Sequence, residues 1–203
     1  MNTYLAFILA SIVLTATPGP DNIAILSMGL AHGRRAGMGF ALGCALGCLT
    51  HTIWASLGVS ALVAASDVAF AILKYAGAAY LVYLGINALR SRAAALAHGK
   101  PATTSHFLLR GFIANAINPK VALFFFAFLP QFVNSSGRVG LQMLALGLTF
   151  AALTAAIFVP LGYFSGHVGT WLNARPAVAS WMNRLTGALF IALAIRLALA
   201  TRA

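Results

Sequence analysis

The chain has 203 residues, of which 61% are apolar and only 7% charged, and 13 Lys and Arg against two acids give a net charge of +11. A soluble domain carries roughly 45–50% apolar and about 25% charged residues, and a globule this small cannot bury such an apolar surplus. A water-soluble enzyme domain is excluded, and the surplus must face lipid. In a soluble chain the positive balance would suggest nucleic acid. Here neither a basic stripe with interleaved aromatics nor zinc-finger spacing accompanies it, so nucleic acid is not expected as a partner. The basic residues fall between apolar runs, where they meet anionic lipid head groups and orient the chain.

An apolar helix needs about 20 residues to cross the hydrocarbon, and the sequence predicts six spans, over 4–30, 38–64, 68–90, 110–132, 139–165 and 181–200. The first opens on Met1-Asn2-Thr3-Tyr4 without Lys or Arg, so it reads as retained and not as a cleaved leader. Inside it stands Thr15-Ala16-Thr17-Pro18-Gly19-Pro20-Asp21-Asn22. Two prolines around a glycine cannot continue a helix, because each removes an amide donor and clashes with the preceding turn. In lipid the freed carbonyls need partners, so the break must face protein or a water-filled cavity. Asp21 and Asn22 then begin a half-helix whose exposed amides favour an anionic group.

The second span carries Gly39, Gly43 and Gly47 at four-residue spacing, which lets a neighbouring helix approach closely. Cys44, Cys48 and His51 share one face there. The cysteines form neither a disulfide framework nor a redox pair. With His51 they have the spacing of a soft-metal site, although small packing residues explain them as well and no resident metal is expected. His51, at membrane depth, is a candidate proton relay. In the third span Lys74 is an interface anchor. Residues 91–105, with Arg92, His98, Lys100 and Pro101, contain too little apolar surface to fold alone and read as a linker.

A second interruption, Asn115-Ala116-Ile117-Asn118-Pro119-Lys120, falls at the start of the fourth span. Asn118 is suited to cap the helix that Pro119 begins, and Lys120 and Asn115 add a cation and an amide. The two halves also resemble each other. Pro18 falls on Pro119 at an offset of 101, Arg35 and Gly37 on Arg138 and Gly140 at 103, and Lys74 and Gly77 on Arg184 and Gly187 at 110. Three ordered matches point to an internal repeat. With three spans in each half the second copy is inverted, and inverted repeats of this kind place a transport site where the interrupted helices meet. The expected architecture is therefore an all-α membrane protein, one polytopic domain over 1–203. It comprises two inverted three-helix repeats, about 1–95 and about 106–203, with interrupted helices 1 and 4. Eight basic residues follow spans one, three and five and four lie on the other side, which places both termini outside the cytoplasm.

The string Thr17-Pro18-Gly19-Pro20-Asp21-Asn22 resembles the signature of the LysE/RhtB family of bacterial amino-acid exporters. Lys74-Tyr-Ala-Gly77-Ala-Ala-Tyr80-Leu-Val-Tyr83-Leu-Gly85, Asn115 to Lys120 and Arg184-Leu-Thr-Gly187-Ala-Leu resemble it too, in the family's order and over essentially the whole chain. The resemblance implies export of an amino acid or derivative across the bacterial inner membrane, with six spans and coupling to the proton gradient. Relatives of that family carry either Asn or Asp where Asp21 stands. On this reading the substrate-binding and transport residues are Pro18, Gly19, Pro20, Asp21, Asn22, Asn115, Asn118, Pro119 and Lys120. Asp21, as an intramembrane carboxylate, is a functional candidate by default. It either pairs with the substrate ammonium or takes and releases the coupling proton, with His51 as a further relay. Lys120 holds the substrate carboxylate, or pairs with Asp21 when the site is empty. The expected partners are an amino acid, protons and lipid; no cofactor is expected, and a homo-oligomer stays open. An exporter of cadmium-type cations is the alternative within the superfamily. A membrane enzyme is disfavoured, since the chain has no Glu, no His-Glu-x-x-His and no serine with acid and base at workable spacing.

Overall fold

The computed structural model describes residues 3–59, 67–91, 106–134 and 137–199, and the regular structure among them is helical. The expected first span is two helices, α1 (Thr3–Ala16) and α2 (Pro20–His32), bent by 49° at the Pro-Gly-Pro break. Pro20 takes the first turn of α2, where its missing N–H costs nothing. The chain reverses at Gly33, whose φ of 83° is a conformation reserved for glycine, and α3 (Arg34–Trp54) comes next, running on into a π-helical turn at Ala55–Val59. The C-terminal part of the expected second span, from residue 60, lies outside the described residues, as does the predicted linker from residue 92 to 105.

Helix α4 is Asp67–Arg90. The expected fourth span is α5 (Phe107–Ala116) and α6 (Pro119–Leu123), and α6 extends through a π-helical turn at Phe124–Phe128 and a 3-10 turn at Leu129–Phe132. The bend between them is 47°. A ten-residue helix therefore precedes the second break, which lies inside its span and not at the span's beginning as expected. Helix α7 is Val139–Tyr163, α8 is Ser165–Asn173 and α9 is Pro176–Leu199. No helix was expected where α8 stands, and α9 begins five residues earlier than the expected 181.

By length and composition Arg34–Gly58, Val139–Tyr163 and Pro176–Leu199 are able to cross a membrane, and the described residues supply up to five spans if each bent pair is one. Helix α4 matches the expected third span in position and has 24 residues.

Small residues set the helix contacts. A side-chain carbon at Gly43 would fall 2.0 Å from the Leu108 carbonyl oxygen, and one at Gly47 would fall 2.7 Å from that of Phe112. The glycine stripe of α3 thus lies directly on α5, and the two helices run in the same direction. On another side α3 crosses α7 antiparallel, Gly37 against Gly162 at one end and Thr52 against Gly147 at the other. Helices α4 and α9 cross at Gly85 and Gly187, each approaching the other's backbone. Aromatic side chains fill the largest buried cluster, with Phe7, Phe124, Phe125, Phe128 and Phe150 at its centre.

Candidate functional site

The two breaks meet in the middle of the molecule. Asn115 Nδ2 donates to Asp21 Oδ2 at 2.7 Å, and Lys120 Nζ donates to the Thr17 carbonyl at 2.9 Å. These bonds arise from what proline does to α1, whose last carbonyls lose their helical donors and must be satisfied in a water-poor interior. Lys120 serves Thr17, and Asn22 Nδ2 serves the Thr15 carbonyl at 3.1 Å. On the other break Asn118 caps α6, its Oδ1 accepting from the Lys120 backbone N–H at 2.9 Å. Asp21, Asn22, Asn115, Asn118 and Lys120 are all buried, Lys120 to 7% exposure. Among the described residues no ion pair joins Lys120 to Asp21; the lysine is held by a helix terminus instead.

His51 reaches the same cluster from α3. Its Nε2 lies 2.9 Å from the Asn115 carbonyl oxygen, which only accepts, so that nitrogen carries the proton. Asp21, Asn115 and His51 form one continuous line, ending where the imidazole stands 5.8 Å from the Phe125 ring. The cysteines are buried and free. Among the described residues no three His, Cys, Asp or Glu side chains gather as a metal site, so Cys44, Cys48 and His51 share a helix face without a common centre.

Two cavities adjoin the breaks. A small one of about 10 Å³, close to the size of one water, is lined by Thr15, Asp21, Asn115, Lys120 and Thr154 among others. Three buried polar atoms in its walls, Thr15 Oγ1, Asn115 Oδ1 and Asn118 Nδ2, have no hydrogen-bond partner in the protein. The second is a vestibule of about 1030 Å³. Gly19, Asn22, Asn118 and Lys120 border both, and so form the floor between them, whereas Asp21 borders only the inner one. Gly19 leaves room for Lys120, because a Cβ there would stand 3.0 Å from Nζ.

The vestibule occupies one end of the molecule. Helices α4, α7 and α9 line it with Leu84 to Ser91, Ile157 to Phe164 and Pro176 to Phe190, and residues further from that end, Ala78, Met143 and Leu197, join the aromatic cluster. Arg34 and Arg35 at the start of α3, Arg90 at the end of α4, and Arg175 and Arg184 around the start of α9 belong to the vestibule end. The other end is sealed: Phe124 lies 5.0 Å from Phe150 and 5.2 Å from Phe128, and Phe128 lies 5.2 Å from Phe132.

Every site residue expected from the sequence lies at one of the two breaks or within hydrogen-bond reach of them. Thr15, Thr17, Thr154 and the vestibule's Thr186 were not expected. A lone threonine in an apolar run resembles helix filling, and only its recurrence beside a Pro-Gly-Pro break marks Thr15 and Thr17.

A helical membrane protein whose two broken helices face each other across buried polar groups has the architecture of a membrane transport protein. The sequence comparisons agree: residues 12–201 match the LysE type translocator family, and the chain belongs to it. It is 32% identical over 98% of both chains to an uncharacterized membrane protein of Vibrio cholerae. It is 30% identical over 98% of both chains to a homoserine/homoserine lactone efflux protein of Salmonella typhimurium. A leucine efflux protein of Enterobacter sp. is 31% identical over 95% of this chain and 93% of its own. No solved structure matches. The chain is thus a translocator and not an enzyme.

Proposed function

We propose that this translocator exports an amino acid or amino-acid derivative from the cytoplasm across the bacterial inner membrane, as a secondary transporter coupled to the proton gradient. The observation that carries the reading is the junction of the breaks: a buried cation and two amides, Lys120, Asn22 and Asn118, lie at the floor of a vestibule, with a buried carboxylate and a third amide, Asp21 and Asn115, directly behind them. An amino acid needs that set, one group for its carboxylate and others for its ammonium. The named relatives divide between homoserine or its lactone and leucine, which supports an amino-acid cargo and leaves its side chain undecided.

The residues divide the work. Lys120 borders the vestibule and takes the substrate carboxylate, while Asn22 and Asn118 bond the ammonium and carboxylate from the floor. Pro18, Gly19, Pro20 and Pro119 hold the backbone open for that contact. Asp21 stands behind the floor, apart from the substrate, where a carboxylate can take and release the coupling proton, and His51, on the far side of Asn115, is the second candidate relay. The vestibule opens at the end rich in Arg, which the positive-inside rule assigns to the cytoplasm. That is the loading state of an exporter.

Six spans in one polytopic domain of two inverted repeats complete the reading. Helices α3 and α5 run in the same direction, which alternation of spans requires only if α4 crosses between them. Gly85 and Gly187, which meet at the α4 and α9 crossing, stand 102 residues apart, close to the 101 of Pro18 and Pro119. That pairing is a better match for Gly187 than Gly77.

Efflux of labelled amino acids and of cadmium from preloaded inner-membrane vesicles tests the proposal, with the natural chain beside Asp21→Asn and Lys120→Ala. Gradient-dependent loss of one amino acid, abolished by both substitutions, is the expected result. Movement of cadmium alone would replace the amino-acid reading by the cation one.

A further inference from the structure

We propose that Thr186 and Asn183 on α9 read the side chain of the cargo, and that the preferred cargo is a neutral amino acid with a hydroxyl or similar small hydrogen-bonding group. The inference rests on the export reading above and adds its side-chain selectivity. Three observations carry it.

The first is a hydroxyl without a partner. Thr52, Thr149 and Thr170 each donate to the carbonyl four residues back in their helices, the usual resource of a helical threonine in an apolar setting. Thr186 does not. Its Oγ1 is buried without any hydrogen-bond partner in the protein, on a residue only 3% exposed that lines the vestibule wall. A buried hydroxyl left in this way is costly, and a ligand group that bonds it removes the cost.

Geometry is the second. Asn183, Thr186 and Phe190 line the vestibule at spacings of three and four residues, so they form one stripe along α9. Lys120 Nζ stands 5.3 Å from the Phe190 ring centroid. Thr186 lies one turn of about 6 Å closer to the vestibule mouth than Phe190. An amino acid with its carboxylate on Lys120 would therefore lay its side chain over Phe190 and bring a γ or δ polar group to Thr186, with the Asn183 amide one turn further.

Charge is the third. Lys120 is the one charged side chain among the described residues lining the vestibule. A cationic side chain would meet a lysine and no carboxylate, and a second carboxylate would find no second cation, so both are disfavoured in a low-dielectric wall. A wall built to bond a hydroxyl also rejects the aliphatic analogue, because its own polar atoms are then left unpaired.

Competitive efflux from vesicles preloaded with labelled threonine, serine, leucine, lysine and glutamate tests the inference, using the natural chain, Thr186→Val, Thr186→Ser and Asn183→Ala. Threonine or serine should leave faster than leucine, lysine and glutamate. Thr186→Val, which keeps shape and removes the hydroxyl, should slow the hydroxylated cargo about tenfold, the effect of about one lost hydrogen bond, with leucine unchanged or faster. Thr186→Ser should keep the preference. Equal slowing of every amino acid by Thr186→Val and Thr186→Ser would make the residue structural and overturn the inference. So would preferred export of leucine or lysine, in which case the export reading itself stands. Absence of any amino-acid efflux overturns both.

Discussion

The two ends of this molecule are built from the same helices and differ in the residues that succeed each break. At the vestibule end the chain after Pro18 continues as Ile23-Ala24-Ile25-Leu26-Ser27, and Ile23, Leu26 and Ser27 line the cavity. At the other end the chain after Pro119 continues as Phe124-Phe125-Phe126-Ala127-Phe128. Those rings close on Phe7, Phe132 and Phe150. Position for position, at an offset of 101, Ser27 stands where Phe128 does. Side-chain bulk after the breaks therefore separates an open end from a shut one, while the polar floor between them is shared.

The sealed end should give the largest effect. Removing rings by Phe125→Ala with Phe150→Ala should cost about 3–5 kcal/mol for each buried ring, read as a lowered unfolding temperature in detergent. Cys48, fully buried beside Phe150 in the inner cavity, should then react with a membrane-impermeant thiol reagent added at that end; an inert Cys48 would show that the rings are not the seal. Making the open end resemble the closed one is the converse: Ser27→Phe should raise the substrate concentration for half-maximal efflux about tenfold, a change of roughly 1.4 kcal/mol, with protein level unchanged. A comparable cost, about 1–3 kcal/mol, is expected for Gly33→Ala, since a Cβ does not tolerate that backbone conformation. Here thermal stability should fall while cargo preference stays as it was. Smallest is Arg34→Ala. It removes a 3.2 Å bond to the Tyr163 hydroxyl and a cation-π contact of 5.4 Å at the exposed rim, and should lower stability by less than about 1 kcal/mol.

The breaks were legible because proline and glycine act locally. Pro18, Gly19, Pro20 and Pro119 prohibit a regular helix whatever surrounds them, so the polar residues beside them stand out from the sequence alone. Partnership was not legible, since Lys120 bonds a carbonyl 103 residues away and no side-chain pattern announces a backbone acceptor. The expected alternative, Lys120 on Asp21, gives way to bonds that satisfy the carbonyls freed by the prolines. Helix α8 was missed because its Gly166 and Gly169 read as loop, whereas a Cβ at Gly169 would fall 2.4 Å from Leu30 and the glycine is there for packing. The π-helical turns at Ala55–Val59 and Phe124–Phe128 were equally hidden, because an extra residue in a turn depends on neighbours far away in sequence.

If Lys120 holds the cargo carboxylate as proposed, its bond to the Thr17 carbonyl sets an internal competitor against the cargo. An anion that captures Lys120 strips the end of α1 of its donor, so any cargo competes with an internal ligand present at all times. Apparent affinity is lowered by that competition. On the export reading proposed above, that competition would confine efflux to high cargo concentrations.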